Sequence, residues 1–267
     1  MVLVLSGNLA GLAVAWSATS IARHRLLLFY RERPGAVVAA RKKFVVARLG
    51  DVCLVAAVVL LARELGMGDV GALLERAPER FAGGAAVPLP IHLAAGLLVL
   101  TAIFKAAQFS AHGWLIEMQE TPTPVSALLH AGILNGGTFL VARLFGVVQL
   151  STPALAVLVV VGGFTAAFSS VVMITDTRVK ATLAYSSAAH MGFMLLLCGM
   201  GAGSVAIVHL VAHSFYKAHA FLSSGSAVEV ARAGWVLDKG AKLPLGRIFL
   251  AYAATALFVW GAATVMG

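Results

Sequence analysis

The apolar residues of this chain come in long continuous runs, not in alternation with polar ones. Eight runs can be drawn, at about 2–29, 36–63, 88–116, 123–148, 153–174, 178–200, 203–231 and 244–266. At about 1.5 Å rise per residue, each is long enough to cross a hydrocarbon core of about 30 Å. Continuous runs argue for helices, because an open strand cannot satisfy its backbone groups in lipid and a barrel would alternate. Pro and Gly fall at the joints: Pro34, Gly66, Gly68, Pro88, Pro90, Pro122, Pro124, Pro153, Gly201, Gly203 and Pro244. Proline is tolerated in a first helical turn, where its missing N–H has no partner to lose. The stretch 67–87 mixes apolar and charged residues and reads as an interfacial helix or a loop. The pattern therefore predicts an all-α, polytopic transmembrane helix bundle of about eight spans.

Composition agrees. Hydrophobic residues make up 60% of the 267 and charged residues 12%, against about 45–50% and about 25% in soluble domains. Mean hydropathy is +0.94. The net charge of +9 would suggest nucleic acid in a soluble protein. Here the basic residues flank apolar runs, where they orient helices and meet membrane lipids, so no nucleic-acid partner is expected. Cys53 and Cys198 fit no metal or disulfide spacing. The first run has no basic residues before it and four at or after its end, at Arg23, Arg25, Arg31 and Arg33, an anchor arrangement and not a cleavable signal. Seven Lys and Arg lie in 23–43. Placing that segment inside gathers thirteen basic residues on that side and leaves four opposite. The asymmetry predicts an outside N-terminus.

Charges within the runs are the candidates for chemistry, since each costs at least about 2.5–3.5 kcal/mol at mid-bilayer. Lys105 has a long uncharged stretch before it and no charge after it until Glu117. It is either a lysine near a helix end or a buried one that gains and loses a proton. His130 follows two turns after Pro124, ahead of Asn135, Gly136 and Gly137, which permit close helix approach or a cavity. It is a core histidine or a proton relay. His209, His213 and Lys217 recur every fourth residue and share one helix face; His219 lies off it. The two histidines could pair on a metal, but a lysine one turn away opposes that, and a hydrated proton path is favoured. Arg48 and Asp51, at i and i+3, can pair with each other or tune the charge of a neighbour. Lys180 and His190 are weaker candidates. There is no Walker A loop, no Rossmann glycine pattern and no G-x-S-x-G. No cofactor or metal is expected in the chain.

At these residues a resemblance becomes specific. Lys105-Ala106-Ala107-Gln108-Phe109, His112-Gly113-Trp114-Leu115, TPTPVSALLHAG (121–132), LAYSSAAHMGFM (183–194) and HLVAHSFYKAHAFLSSGS (209–226) resemble blocks of the proton-conducting antiporter-like family. That family includes large membrane subunits of respiratory complex I and of multisubunit cation/proton antiporters. Within it, FYRERPGAVVAARKKF (29–44), LLHAGILNGGTFLVARL (128–144) and AHSFYKAHAFLSSGS (212–226) are most similar to membrane subunits of inorganic-carbon transporters.

The resemblance implies a discontinuous helix near Lys105 and another in the last run. Lys105 matches the family's central lysine, His130 the histidine of the next helix, His209, His213 and Lys217 its connecting stripe, and Arg48 and Asp51 a charged pair. It implies a multi-pass protein of the cell inner membrane, not itself an enzyme. Its partner would be a DabA-like zinc-containing subunit, similar to β-carbonic anhydrases, in which proton flow drives one-way hydration of CO2. The alternatives are a proton-pumping subunit of a respiratory or antiporter complex, and a non-conducting anchor for a soluble partner. The chain reads as a single proton-conducting membrane domain, 1–267, N-terminally truncated relative to the family. Several positions depart from the family pattern. Ser17 replaces a glutamate that partners the lysine, with Asp51 the candidate substitute. Ser110 and Ile116 stand where prolines are common, which softens the expected break. His190 replaces a glutamine, and the last run lacks a second central lysine.

Overall fold

In a computed structural model, the described residues are 2–29, 32–66, 68–81, 86–109, 111–118, 121–224 and scattered positions between 246 and 260. Among them the secondary structure is helical apart from one isolated antiparallel bridge between Asn8 and Asp69. The elements are α1 (Val2–Leu5), α2 (Leu9–Leu27), α3 (Pro34–Leu65), α4 (Val70–Phe81), α5 (Leu89–Lys105), α6 (Gly113–Glu117), α7 (Thr123–Ala131), α8 (Gly136–Arg143), α9 (Phe145–Val148), α10 (Thr152–Thr175), α11 (Val179–Gly199) and α12 (Gly203–Ser224).

Among the described residues, five stretches are long and apolar enough to cross a membrane: Pro34–Leu65, Thr123–Arg143, Thr152–Thr175, Val179–Gly199 and Gly203–Ser224. The 17-residue α5 is apolar but stops at Lys105. The chain is thus an α-helical, multi-pass membrane protein. The run expected over 244–266 falls largely outside the described residues.

The first run is not one helix. Asn8 caps α2, its side-chain oxygen accepting from the Ala10 N–H at 2.8 Å. On either side of the cap, the backbone pairs with the segment after α3: Leu9 N–H donates to Gly68 O at 2.8 Å and Val70 N–H to Gly7 O at 2.7 Å. Hydropathy cannot register this interruption, because a cap changes hydrogen bonding without adding charge. The mixed stretch 67–87 contains α4, with Val70, Leu73 and Ala77 buried on one face.

Small residues set the helix packing. A Cβ on Gly162 of α10 would lie 2.7 Å from Gly192 O of α11, and one on Gly192 would lie 2.7 Å from Gly162 O. The two backbones touch, as small-residue interfaces in membranes allow. Gly137 of α8 sits against α5 in the same way, its Cβ position 2.7 Å from Ala102 O. Two rims hold the bundle. At one, Lys42 pairs with Glu117 at 2.6 Å and Lys180 Nζ donates to Thr121 O at 3.2 Å. At the other, the Arg143 guanidinium donates to the carbonyls of Leu3, Val4 and Ser6. In the exposed turn between α10 and α11, hydrogen bonds from Arg178 hold the Asp176 carboxyl below the usual carboxylate range.

Candidate functional site

Helix α5 ends at Lys105, and the chain leaves helical geometry through Ala107, a non-glycine residue with φ of +48°. Left-handed backbone at a non-glycine residue is uncommon. The chain resumes as α6 only at Gly113. Here the break is complete, whereas the missing prolines lead one to expect a softer one; Ser110 lies outside the described residues. The left-handed turn is closed by Gln108, whose N–H reaches Ile103 O at 3.2 Å and whose side-chain amide reaches Ala106 O at 3.0 Å. Lys105 thus sits at the carbonyl end of a helix, where a cation is favoured.

The lysine is 4% exposed. Its Nζ donates to Ser20 Oγ at 3.1 Å and lies over the Trp16 ring, 4.1 Å from the centroid. Such a desolvated cation–π contact is worth about 2 kcal/mol. Asp51 forms an ion pair with Arg48, with 2.6 Å between Arg48 Nη2 and an Asp51 oxygen. That pair lines a cavity with Ser17. No ion pair between Lys105 and a carboxylate occurs among the described residues.

A cavity of about 300 Å³ runs from Lys105 past Thr19, Asn135 and Gly136 to Ser214 on α12. The joint between α7 and α8 makes room for it. Residues 133–135 form a 3₁₀ turn there, and Asn135 Nδ2 donates to Ala131 O at 2.9 Å and to Ser214 Oγ at 2.7 Å. A Cβ on Gly136 would do no more than touch the Lys105 and Trp16 side chains, at 3.8 Å.

Beyond the cavity, His130, Ser187 and Lys217 meet around one carbonyl. Leu183 O accepts from Ser187 Oγ at 3.0 Å and from Lys217 Nζ at 3.2 Å. His130 Nδ1 lies 3.0 Å from Ser187 Oγ. The single Ser187 hydroxyl hydrogen is committed to Leu183 O, so Nδ1 carries the proton in the bond with His130. The imidazole stacks on Phe221, 4.2 Å between centroids. Lys217 is fully buried.

The stripe predicted on α12 is present and faces α11. His190 Nδ1 is 3.0 Å from His209 Nε2, and the His190 and His213 rings are 5.1 Å apart. His213 is buried with neither ring nitrogen bonded to another group. His219 is exposed, as its offset requires. Among the described residues no three His, Cys, Asp or Glu side chains could hold a metal ion.

The structure therefore brings Lys105 to a cavity reaching α12, gathers His130 with Lys217, and gathers His190 with His209 and His213. Arg48 and Asp51 pair with each other, and Lys180 bonds at the rim. Sequence reasoning assigned no role to Ser20, Ser187, the Leu183 carbonyl or Ser214. It also counted Arg23 and Lys43 as loop charges, whereas they are 2% and 1% exposed. Their spacing carries the signal: Trp16, Ser20, Arg23 and Leu27 continue the buried face of α2, and Ala36, Ala39, Lys43, Ala47 and Gly50 that of α3.

Residues 6–235 match the family described as NADH:quinone oxidoreductase/Mrp antiporter, TM. The chain is 41% identical to the probable inorganic carbon transporter subunit DabB2 of Halothiobacillus neapolitanus, covering 100% of this chain and 48% of that protein. It is 43% identical to the probable inorganic carbon transporter subunit DabB of Hydrogenovibrio crunogenus, covering 85% and 43%. The NADH-quinone oxidoreductase subunit L of Escherichia coli is 36% identical, covering 85% and 37%. Among solved structures, the Mrp complex from Dietzia sp. DQ12-45-1b aligns with a TM-score of 0.76 at 28% identity, over 82% of this chain and 24% of that one. The chain spans about half the length, or less, of these curated relatives.

Proposed function

Because this chain belongs to the NADH:quinone oxidoreductase/Mrp antiporter transmembrane family, we propose that it is the proton-conducting membrane subunit of an energy-coupled inorganic-carbon uptake complex. The substrate class rests on its likeness to the DabB subunits. The conducting role rests on one observation: the lysines and histidines within the helices lie in a line, His130 and Lys217 joined through a hydroxyl and a carbonyl and the others met by a cavity or by neighbouring rings, not scattered singly. Lys105 opens onto the cavity that reaches Asn135 and Ser214. Ser214 follows His213 directly, and one turn further Lys217 shares the Leu183 carbonyl with Ser187, which holds His130. His213 and His209 of α12, with His190 of α11 against both, extend the line.

In this reading a proton moves between groups that both accept and donate. Lysine and imidazole do so as they titrate; serine hydroxyls pass protons by rotating. Arg48 and Asp51 set the local charge, and Lys180 stands at the rim. Residues 1–267 act as one domain in the cell inner membrane, in contact with its lipids. The partner is a DabA-like zinc-containing subunit that carries out the CO2 chemistry, so this chain performs no catalysis of its own.

The test is Lys105→Ala in a host that requires high CO2 and carries both subunits. The variant is expected to lose growth in ordinary air while the unaltered pair supports it. Undiminished growth would reject the role given to Lys105. Proton flux in proteoliposomes, with and without the partner, separates a conductor from a membrane anchor.

A further inference from the structure

Three buried cations crowd one small cavity. Arg23 on α2, Lys43 on α3 and Lys105 at the end of α5 line it together with Trp16, Thr101 and Trp114. Each of the three is 4% exposed or less. Ser20 holds two of them: its carbonyl accepts from Lys43 Nζ at 3.2 Å and its hydroxyl from Lys105 Nζ at 3.1 Å. One turn on, the Nε and Nη1 of Arg23 are buried without a hydrogen-bond partner, as is the Trp114 indole nitrogen. Guanidinium and indole groups only donate, and so does a charged ammonium. The Thr101 hydroxyl gives its hydrogen to Leu97 O or Gly50 O, and its oxygen accepts from neither the Arg23 Nε and Nη1 nor the Trp114 indole nitrogen. The nearby carboxylate, Asp51, is already paired with Arg48. A cavity walled by positive charge thus leaves the Arg23 and Trp114 donors without an acceptor.

The geometry points to a binding site for a compact monovalent anion of chloride's size, held by Arg23, Lys43, Lys105 and the Trp114 N–H. The cavity has room for about one water-sized sphere. That selects a monatomic anion over a larger oxyanion. Buried charges are paired or neutralised in proteins, and a bound anion does this for three at once. It also places negative charge beside Lys105, which has no carboxylate ion pair among the described residues. The site stands on its own geometry, and its occupancy is read without proton flux. Anion binding and proton conduction can therefore fail independently.

Trp16 and Trp114 wall the cavity, so tryptophan fluorescence reports on it. The full chain, purified in nanodiscs in sodium gluconate, is titrated with chloride, bromide and bicarbonate at constant ionic strength. Chloride and bromide are expected to give a saturable change, with bicarbonate weaker. Arg23→Gln and Lys43→Gln should each raise the half-saturating chloride concentration at least tenfold, and Arg23→Lys should recover part of the loss. No saturable chloride response in the unaltered protein overturns the site, as does an unchanged titration in both glutamine variants. Tighter binding of bicarbonate than of chloride overturns the size class. If the glutamine variants do not fold, anomalous scattering from bromide-grown crystals of the unaltered protein decides. Bromide between Arg23, Lys43 and Lys105 supports the site, and its absence there overturns it.

Discussion

Ser187 makes the smallest decisive contribution to the polar line. Its hydroxyl fixes the His130 tautomer and shares the Leu183 carbonyl with Lys217. Ser187→Ala removes a buried hydrogen bond of about 1 kcal/mol net, equivalent to roughly fivefold in rate. Proton flux in proteoliposomes is therefore expected to fall about fivefold, with Ser187→Thr retaining most of it. Unchanged flux in the alanine variant would place the path elsewhere. At this scale the sequence marked the strong titrating groups, because lysine and histidine stand out in an apolar run. It was silent on serines and a main-chain carbonyl. These residue types are common in membrane helices and acquire a role only through what they face.

At the scale of elements, two interruptions shape the site: the end of α5 at Lys105 and the 3₁₀ turn between α7 and α8. The first was expected near Lys105 by family resemblance; the second was visible only as Asn135-Gly136-Gly137. The joint is tight because α8 lies directly on α5. Gly137→Ala would set a Cβ 2.7 Å from Ala102 O and 2.9 Å from the Ala106 Cβ. Backbone yields little, so the overpacking is expected to cost about 1–3 kcal/mol. A lowered melting temperature in detergent measures it. Gly96→Ala, inside α5 with nothing within 4 Å of the added Cβ, is the control and should keep or slightly raise the melting temperature, since it gains helix propensity without a clash. A matching result for both variants would mean that α5 and α8 do not touch there.

For the whole molecule, the tertiary contacts and the charge asymmetry agree on which segments share a side. Lys42 meets Glu117 and Lys180 meets Thr121 on one rim. Arg143 meets the N-terminal carbonyls on the other, where Asn8 also bridges to Asp69. The excess of Lys and Arg assigns the first rim to the inside. In a chain with Cys53 and Cys198 replaced, a membrane-impermeant maleimide added outside should label Glu79→Cys and spare Arg178→Cys. The opposite pattern would invert the topology.

By itself the sequence determined the membrane class, the helical fold and which lysines and histidines lie within apolar runs. These depend on composition and period, and a lipid solvent leaves few other ways to satisfy a backbone. Only the tertiary structure decided which polar groups meet. It turned Arg23 and Lys43 from loop charges into walls of a buried cavity. It paired Asp51 with Arg48, and joined His130 to Lys217 through Ser187 and a carbonyl. The physical reason is that contacts such as Ser20 with Lys105, 85 residues apart, are set by how closely helices approach. That approach is governed by glycines and breaks whose effect depends on the neighbouring helix.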